Sequence, residues 1–459
     1  MNTYSPVTPA VLSHLAELVG EGNISTRRSD LGLHAHDQSA HEAHPPEVVL
    51  WVENVEQVSA VLAYANERHI PVTGWGAGTS LEGNPIALCG GILVSFEKMS
   101  KIIAVHADDF QVTVQPGLGY KDLNIQLARH GLFFAPDPGA NASIGGMLAN
   151  NAAGIRTVKY GATKDNVLRL QVVLADGRIV QAGSRSVKQS SGYDLAHLFI
   201  GSEGTLGLIT EATLKLVPIP EYMSAAVASF ESVDDAIQVV VAVRGSGTEP
   251  AALEFLDGFS VGSISESNGL DLAAKPTLFM EFHASHVSAL ESVLNTVQKI
   301  CQDAGALTIK STTNNAERLK LWHARHHAYE TIVRRHPGQK MYISDVAVPI
   351  SAYPELIAFI ETYRKEHNIT AYAFGHAGDG NIHICSPFTG DTYQSIYEMN
   401  TEVVQKAISL NGTATGEHGV GIGKSRFMKM EHGIALDVMR EVKQTLDPNW
   451  ILNPGKIFP

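Results

Sequence analysis

After Thr8-Pro9, apolar residues recur at Val11, Leu12, Leu15, Leu18 and Val19 with helical spacing. The threonine can cap a helix and the proline can open one, so the chain is expected to begin with an amphipathic helix. Val48-Val-Leu-Trp-Val52 then reads as a strand, and Asn54-Val-Glu-Gln57 as the capped start of a helix running to about Arg68. Ile70-Pro-Val-Thr73 is the next strand, followed by strands at 92–95, 102–105 and 111–114 and a helix over 120–130. Leu170-Gln-Val-Val-Leu174 and Ile179-Val-Gln181 flank Ala175-Asp-Gly177 as the arms of a hairpin. A short helix around Leu195 and a strand over 212–217 lead to Pro218-Ile-Pro220, where the first run of elements closes.

Beyond the prolines, a strand at 225–230, a helix at 233–244 and a strand at 251–255 are followed by a second strand, helix and strand over 277–309. This double alternation predicts a ferredoxin-like antiparallel sheet with helices on one face. A charged helix is expected over 316–335. A strand at 342–348 and a hairpin at 371–385 can widen the sheet, and a last helix covers 434–446 before Asp447-Pro448. The class is therefore α+β. A chain of 459 residues exceeds one ordinary core and is expected to divide at the prolines into 1–219 and 220–459.

Composition narrows the function classes. A net charge of −13 argues against broad nucleic-acid binding, so an anionic substrate would need a local cation or clustered Arg and Lys. Three cysteines without a Cys-x-x-Cys pair argue against disulfide frameworks, iron–sulfur clusters and attached haem. The absence of a long apolar run and of an export-type N-terminus leads to the expectation of an intracellular protein, in the cytoplasm or peripheral to the inner face of a membrane.

Three stretches carry candidate chemistry. Gly74-Trp-Gly76-Ala77-Gly78-Thr79-Ser80 follows a strand and can wrap backbone N–H groups around a diphosphate, or can be an ordinary tight loop. It lacks the Rossmann pattern, since Leu81 stands where a third glycine would be. The small-residue stretch from Ala135 to Gly154 suits close backbone contact with a large ligand. The third stretch is Gly375-His376-Ala-Gly-Asp-Gly-Asn381-Ile-His383, in which a histidine lies on each side of a hairpin turn. With Glu417 of Gly416-Glu417-His418-Gly419, His376 and His383 make a two-nitrogen, one-carboxylate set with open positions, which suits a catalytic divalent ion such as zinc or manganese. Gly423-Lys-Ser425 ends like a Walker loop, but His418 occupies the required first glycine position, so an NTPase is excluded.

Taken together, Gly76-Ala-Gly-Thr-Ser80, Pro136-Asp137-Pro138, Ser143-Ile-Gly145-Gly146, Gly201-Ser-Glu203-Gly204-Thr-Leu-Gly207, the segment from Gly375 to His383, Gly416-Glu-His-Gly419 and Asn453-Pro-Gly-Lys456 cover nearly the whole chain. In these motifs the chain resembles FAD-linked D-2-hydroxyacid dehydrogenases of the vanillyl-alcohol oxidase and p-cresol methylhydroxylase superfamily, and among them the cytochrome-type D-lactate dehydrogenase group. The resemblance implies a two-part α/β FAD domain of the p-cresol methylhydroxylase type, a cap over the flavin ring, and a C-terminal helical segment returning to the flavin. It implies that the 74–80 loop and the Ser143 to Gly146 turn hold the pyrophosphate of non-covalent FAD, with Glu203 to Ile209 passing along the adenosine.

The implied reaction is oxidation of a short D-2-hydroxy acid, D-lactate first. Glycolate, as the flavin subunit of a larger complex, and D-2-hydroxyglutarate are the alternatives; a non-catalytic flavin- and metal-binding subunit of an electron-transfer assembly is the rival outside enzymes. His418 is the expected base and Arg325 the partner of the substrate carboxylate, while Asn381 either orients substrate or satisfies its turn. Electrons would pass to an external cytochrome, quinone or electron-transferring flavoprotein, and a homodimer is compatible with all of this.

Overall fold

The computed structural model describes residues 4–269 and 271–459. By internal contacts the chain forms two units: Met1–Ala153, Gly161–Ile219 and Glu417–Pro459 in the first, Gly154–Tyr160 and Pro220–Gly416 in the second. The change at 219/220 falls among the prolines. Residues 417–459, placed with 220–459 by the sequence division and expected to return to the flavin, group with the first unit.

The first unit opens with the expected helix, Pro9–Val19, whose N-cap Thr8 accepts from the Val11 N–H. Its first sheet contains β1 (Ile24–Ser25), β2 (Val48–Trp51), β3 (Val72–Trp75) and β4 (Ile92–Ser95) in the order β1-β2-β4-β3. β4 runs parallel to both β2 and β3, and the Val55–Arg68 helix connects those two strands. Asn54 caps that helix through the Gln57 N–H at 2.9 Å. β3 starts two residues later than the apolar pattern suggests and carries Gly74 and Trp75 as its last residues, so the glycine loop begins at Gly76.

Further along lie β5 (Ile102–His106), β6 (Gln111–Val114), β7 (Leu132–Phe133), β8 (Val167–Val173), β9 (Ile179–Gly183), β10 (Leu208–Lys215) and β11 (Val217–Pro218). β7 pairs with β11, and the other five form an antiparallel sheet in the order β5-β6-β10-β8-β9. Its core takes in Leu170, Val172, Ile209, Ala212 and Leu214 from the sheet and Ile144, Met147 and Leu148 from the Ile144–Asn150 helix. That helix lies inside the small-residue stretch.

The second unit is one seven-stranded antiparallel sheet. Its strands are β12 (Tyr222–Ser229), β13 (Ala252–Leu256), β14 (Thr277–Ala284), β15 (Thr308–Thr312), β16 (Lys340–Ala347), β17 (Tyr372–Gly375) and β18 (Asn381–Phe388), ordered β15-β12-β14-β13-β17-β18-β16. The first four reproduce the 4-1-3-2 order of the split βαβ arrangement that the alternation predicts. The hairpin and β16 widen it beyond β13.

One expectation needs correction: the helices do not keep to one face. Residues 224 to 229 of β12 and all of β13 are buried without alternation, as a sheet covered on both sides requires. The Val287–Asp303 helix packs on β12 and β14. Ala225, Val227 and Phe279 instead join a core with Trp322, Ala324, Ala328 and Ile332 from further helices. The charged stretch is also two helices, Asn315–His326 and Ala328–Arg335, separated at His327. Helices Gly258–Asn268, Tyr353–Glu366 and Tyr393–Ser409 complete the unit, although no motif singles them out.

Candidate functional site

In the first unit the glycine loop and the small-residue stretch meet. A Cβ built on Gly76 would overlap the Ser143 hydroxyl, so only glycine permits this approach. Ser143 caps the Ile144–Asn150 helix by accepting from the Gly146 N–H at 3.3 Å. Gly78 turns the loop at φ +66°. Among the described residues, the backbone N–H groups of 76–80 donate to no protein acceptor, which leaves a run of donors around Ala77 and Thr79 of the kind a diphosphate needs. The Ser80 hydroxyl donates to Asp37 at 2.8 Å, and the same carboxylate accepts from the Gly83 N–H at 2.9 Å. Pro136 is buried, and the carbonyl of the neighbouring Pro138 accepts from the Tyr120 hydroxyl at 2.8 Å.

Glu203 is the interior tie of this unit. It sits at φ 52° and is 4% exposed. Its carboxylate accepts from Asn84 Nδ2 at 2.7 Å and from the N–H groups of Val420 at 2.6 Å and Gly421 at 2.8 Å. Burial nevertheless raises its pKa above the ordinary carboxylate value. Asn453 completes the tie by donating to the carbonyls of Asn84 at 2.9 Å and Glu203 at 2.7 Å. The carbon skeletons of Gly204, Gly207 and Ile209 lead from this point into β10, and Gly207 has no room for a side chain against Val172.

In the second unit the two hairpin histidines face each other. His376 follows β17 and His383 lies in β18, and their Nε2 atoms are 3.4 Å apart with ring planes at 82°. The residues are 7% and 8% exposed. Each ring is approached from its other nitrogen by a buried acid. His376 Nδ1 lies 2.7 Å from Glu254 Oε1, and His383 Nδ1 lies 3.6 Å from Asp345 Oδ1. The sheet register explains both neighbours: Asp345 is directly opposite His383, and the pairing of Phe255 with Gly375 brings Glu254 opposite His376.

Arg325, expected to be open to a substrate, donates through NH2 to Glu254; its Nε is buried without a hydrogen-bond partner among the described residues. Burial alone would raise the Glu254 pKa, but the charges of His376 and Arg325 outweigh it and hold the group below the usual range. The Asn381 backbone N–H closes the turn on the His376 carbonyl at 3.2 Å, while its side chain bonds outside it. Its Nδ2 donates to Asp345 Oδ1 at 2.5 Å and to the Val346 carbonyl at 3.0 Å, tying β18 to β16, while its Oδ1 is buried without a partner among the described residues.

Asp345 also accepts from the Thr415 hydroxyl at 2.7 Å and the Gly416 N–H at 2.6 Å. Glu417 and His418 are the next two residues of the chain. His418 belongs to the first unit, where its carbonyl accepts from Asn150 Nδ2 at 3.2 Å.

Motif reading misses Glu254, Asp345, Asp37 and Asn84. Glu254 had a signal, an acid inside the otherwise apolar strand β13; both Glu254 and Asp345 are 0% exposed, and a buried carboxylate is stable only when polar or charged partners surround it. No helix among the described residues is long and apolar enough to cross a membrane.

Residues 46–183 match the family described as FAD binding domain, and residues 219–457 match that described as FAD linked oxidases, C-terminal domain. The chain is 40% identical over 455 residues to the probable mitochondrial D-lactate dehydrogenase of Danio rerio, covering 98% of this chain and 91% of the relative. It is 38% identical to the mitochondrial D-lactate dehydrogenase (cytochrome) of Arabidopsis thaliana, covering 99% and 81%. The glycolate oxidase subunit of Bacillus subtilis is 34% identical, covering 98% and 97%. In fold, p-cresol methylhydroxylase superposes with a TM-score of 0.79 at 16% identity, over 100% of this chain and 98% of that one.

Proposed function

The chain belongs to the FAD-linked oxidases, and from that premise we propose that it oxidises a short D-2-hydroxy acid, D-lactate to pyruvate, using non-covalent FAD and a divalent ion. The observation that carries the ion is the opposed pair His376 and His383. Two imidazole nitrogens 3.4 Å apart, each backed by a buried carboxylate, call for positive charge between them. Glu417, one residue beyond the anchored Gly416, is the proposed third ligand.

Gly76, Ala77, Gly78 and Thr79 would hold the FAD pyrophosphate through backbone N–H groups, with Ser143, Gly145 and Gly146 as the proposed opposite wall; the Gly145 and Gly146 N–H groups themselves donate to the Pro116 carbonyl and the Ser143 hydroxyl. Bound FAD supplies the two-electron acceptor for the hydrogen on the substrate α-carbon. Zinc or manganese supplies Lewis acidity toward the substrate hydroxyl.

The remaining work falls to side chains. His418 accepts the hydroxyl proton on its imidazole. Arg325 offers Nε to the substrate carboxylate while Glu254 holds its NH2 group. Asn381 keeps Asp345 fixed between β16 and β18. D-Lactate is chosen because the Danio rerio and Arabidopsis thaliana relatives are named for it, and a cytochrome acceptor follows from the second of those names. The Bacillus subtilis relative favours glycolate as the second reading.

Anaerobic mixing of the holoprotein with D-lactate, L-lactate, glycolate and D-2-hydroxyglutarate tests this, with loss of the flavin's visible absorbance as the readout. D-Lactate should bleach the flavin fastest, and His418→Ala should keep its flavin but slow bleaching by about 10²–10⁴-fold. Faster reduction by glycolate would move the assignment to the second reading. A flavin that none of the acids bleaches would leave a non-catalytic subunit.

A further inference from the structure

Glu254 occupies the middle of Ala252-Leu-Glu-Phe-Leu256, a strand whose every residue is buried. A carboxylate taken out of water costs several kcal/mol, and a buried ion pair kept only for stability can often be replaced by apolar groups without loss. This one is not a simple pair. Its two oxygens are divided between two groups from distant parts of the chain: Oε1 faces Nδ1 of His376 at 2.7 Å, and Oε2 accepts from NH2 of Arg325.

We propose that Glu254 is the positioning residue of the candidate metal centre, a single carboxylate that orients the His376 ring toward the ion and the Arg325 guanidinium toward the substrate acid. This deepens, and rests on, the metal reading given above. An ionised carboxylate can only accept, so the contact at Oε1 requires the proton of neutral His376 to be on Nδ1. The lone pair is then on Nε2, the atom that meets His383. On the other side, the planar Arg325 fork anchored at NH2 has its Nε direction set, and the same group lies 5.1 Å from the centre of the Phe374 ring, which limits swinging. One acid thus fixes the ligand atom and the anion clamp together, so that the ion and the carboxylate of one substrate would be held in a constant relation.

Glu281 supplies the comparison within the same sheet. It is 6% exposed, lies 2.8 Å from His283 Nε2 and 3.0 Å from Arg318 NH1, and so has the same histidine and arginine partners. His283, however, turns its other nitrogen to the Tyr160 hydroxyl at 2.9 Å rather than to a second histidine.

The decisive measurement is nitrogen-15 NMR of the histidine rings in metal-free wild-type holoprotein at alkaline pH, combined with titration by manganese or zinc. His376 should carry its proton on Nδ1. Glu254→Gln should weaken metal binding by about 10–100-fold while retaining flavin, Glu254→Asp should recover part of that loss, and Glu281→Gln should bind metal like wild type. A proton on Nε2 of His376 in the wild type overturns the proposal even if no variant folds. Metal affinity of a folded Glu254→Gln variant equal to that of wild type overturns it as well. A wild type that takes up no metal would instead remove the metal reading, and the NMR result would still decide whether Glu254 orients the ring.

Discussion

Lys456 shows how one side chain in this molecule holds the cost of burial. The residue is 2% exposed, with Nζ donating to the Ile86 carbonyl at 2.5 Å and to Asn453 Oδ1 at 3.3 Å. Burial pushes its pKa down to about 8, although the Glu203, Cys89 and Asp37 charges pull the other way. Below pH 8 the ammonium is present in both folded and unfolded chains, and the folded state bears the full desolvation cost. Between that value and the ordinary lysine range the unfolded chain binds more protons, so stability attributable to this group rises with pH, by at most about 3 kcal/mol. Denaturant unfolding of wild type and Lys456→Met from pH 7 to 10 reads the effect: wild type should gain on the variant as pH increases. Parallel stability curves would show that the ammonium is not depressed.

At the scale of elements, the hairpin sets the spacing of the two histidines of the proposed metal centre. Gly380 makes the turn at φ +74°, and a Cβ there would penetrate the Val348 carbonyl oxygen. The left-handed conformation alone costs a non-glycine residue about 1–2 kcal/mol. Gly380→Ala should therefore lower the thermal midpoint and abolish binding of the proposed metal, while flavin, proposed to be held by residues of the other unit, stays bound. Elemental analysis with the flavin spectrum checks this; full metal content would show that the turn does not set the histidine spacing.

This hairpin was readable in the sequence because its glycines, Asp379 and Asn381 are local signals. β4 was equally plain as a short apolar run, and the split βαβ order followed from alternation. What sequence hid were pairings across distance. Nothing near Glu254 announces His376, 122 positions away, and nothing near Ser80 announces Asp37. That helices cover the second face of the cap was hidden too, although a helix over 316–335 was expected, because a doubly covered strand shows no alternation to count.

At the scale of the whole molecule, the first unit is not finished where its sequence motifs end. Its first sheet takes Ile451 and Leu452 into the core, both 0% exposed. The strand-like passage that carries them is held by the Val72 N–H on the Ile451 carbonyl and the Asn453 N–H on the Val72 carbonyl, each at 2.8 Å. Lys443, on the Ala435–Leu446 helix, adds bonds to the carbonyls of Thr205 at 2.6 Å and Leu452 at 3.0 Å and an ion pair with Asp447 at 2.5 Å. A truncated chain of residues 1–219 would expose that apolar seam and leave the Glu203 carboxylate without the Val420 and Gly421 N–H groups, an uncompensated buried acid. Such a fragment should aggregate or purify without flavin, whereas joining 417–459 to it through a flexible linker should restore solubility and yellow colour. Residues 1–219 alone binding FAD at full stoichiometry would show that the C-terminal segment is dispensable, and would return the domain boundary to the prolines at 218–220.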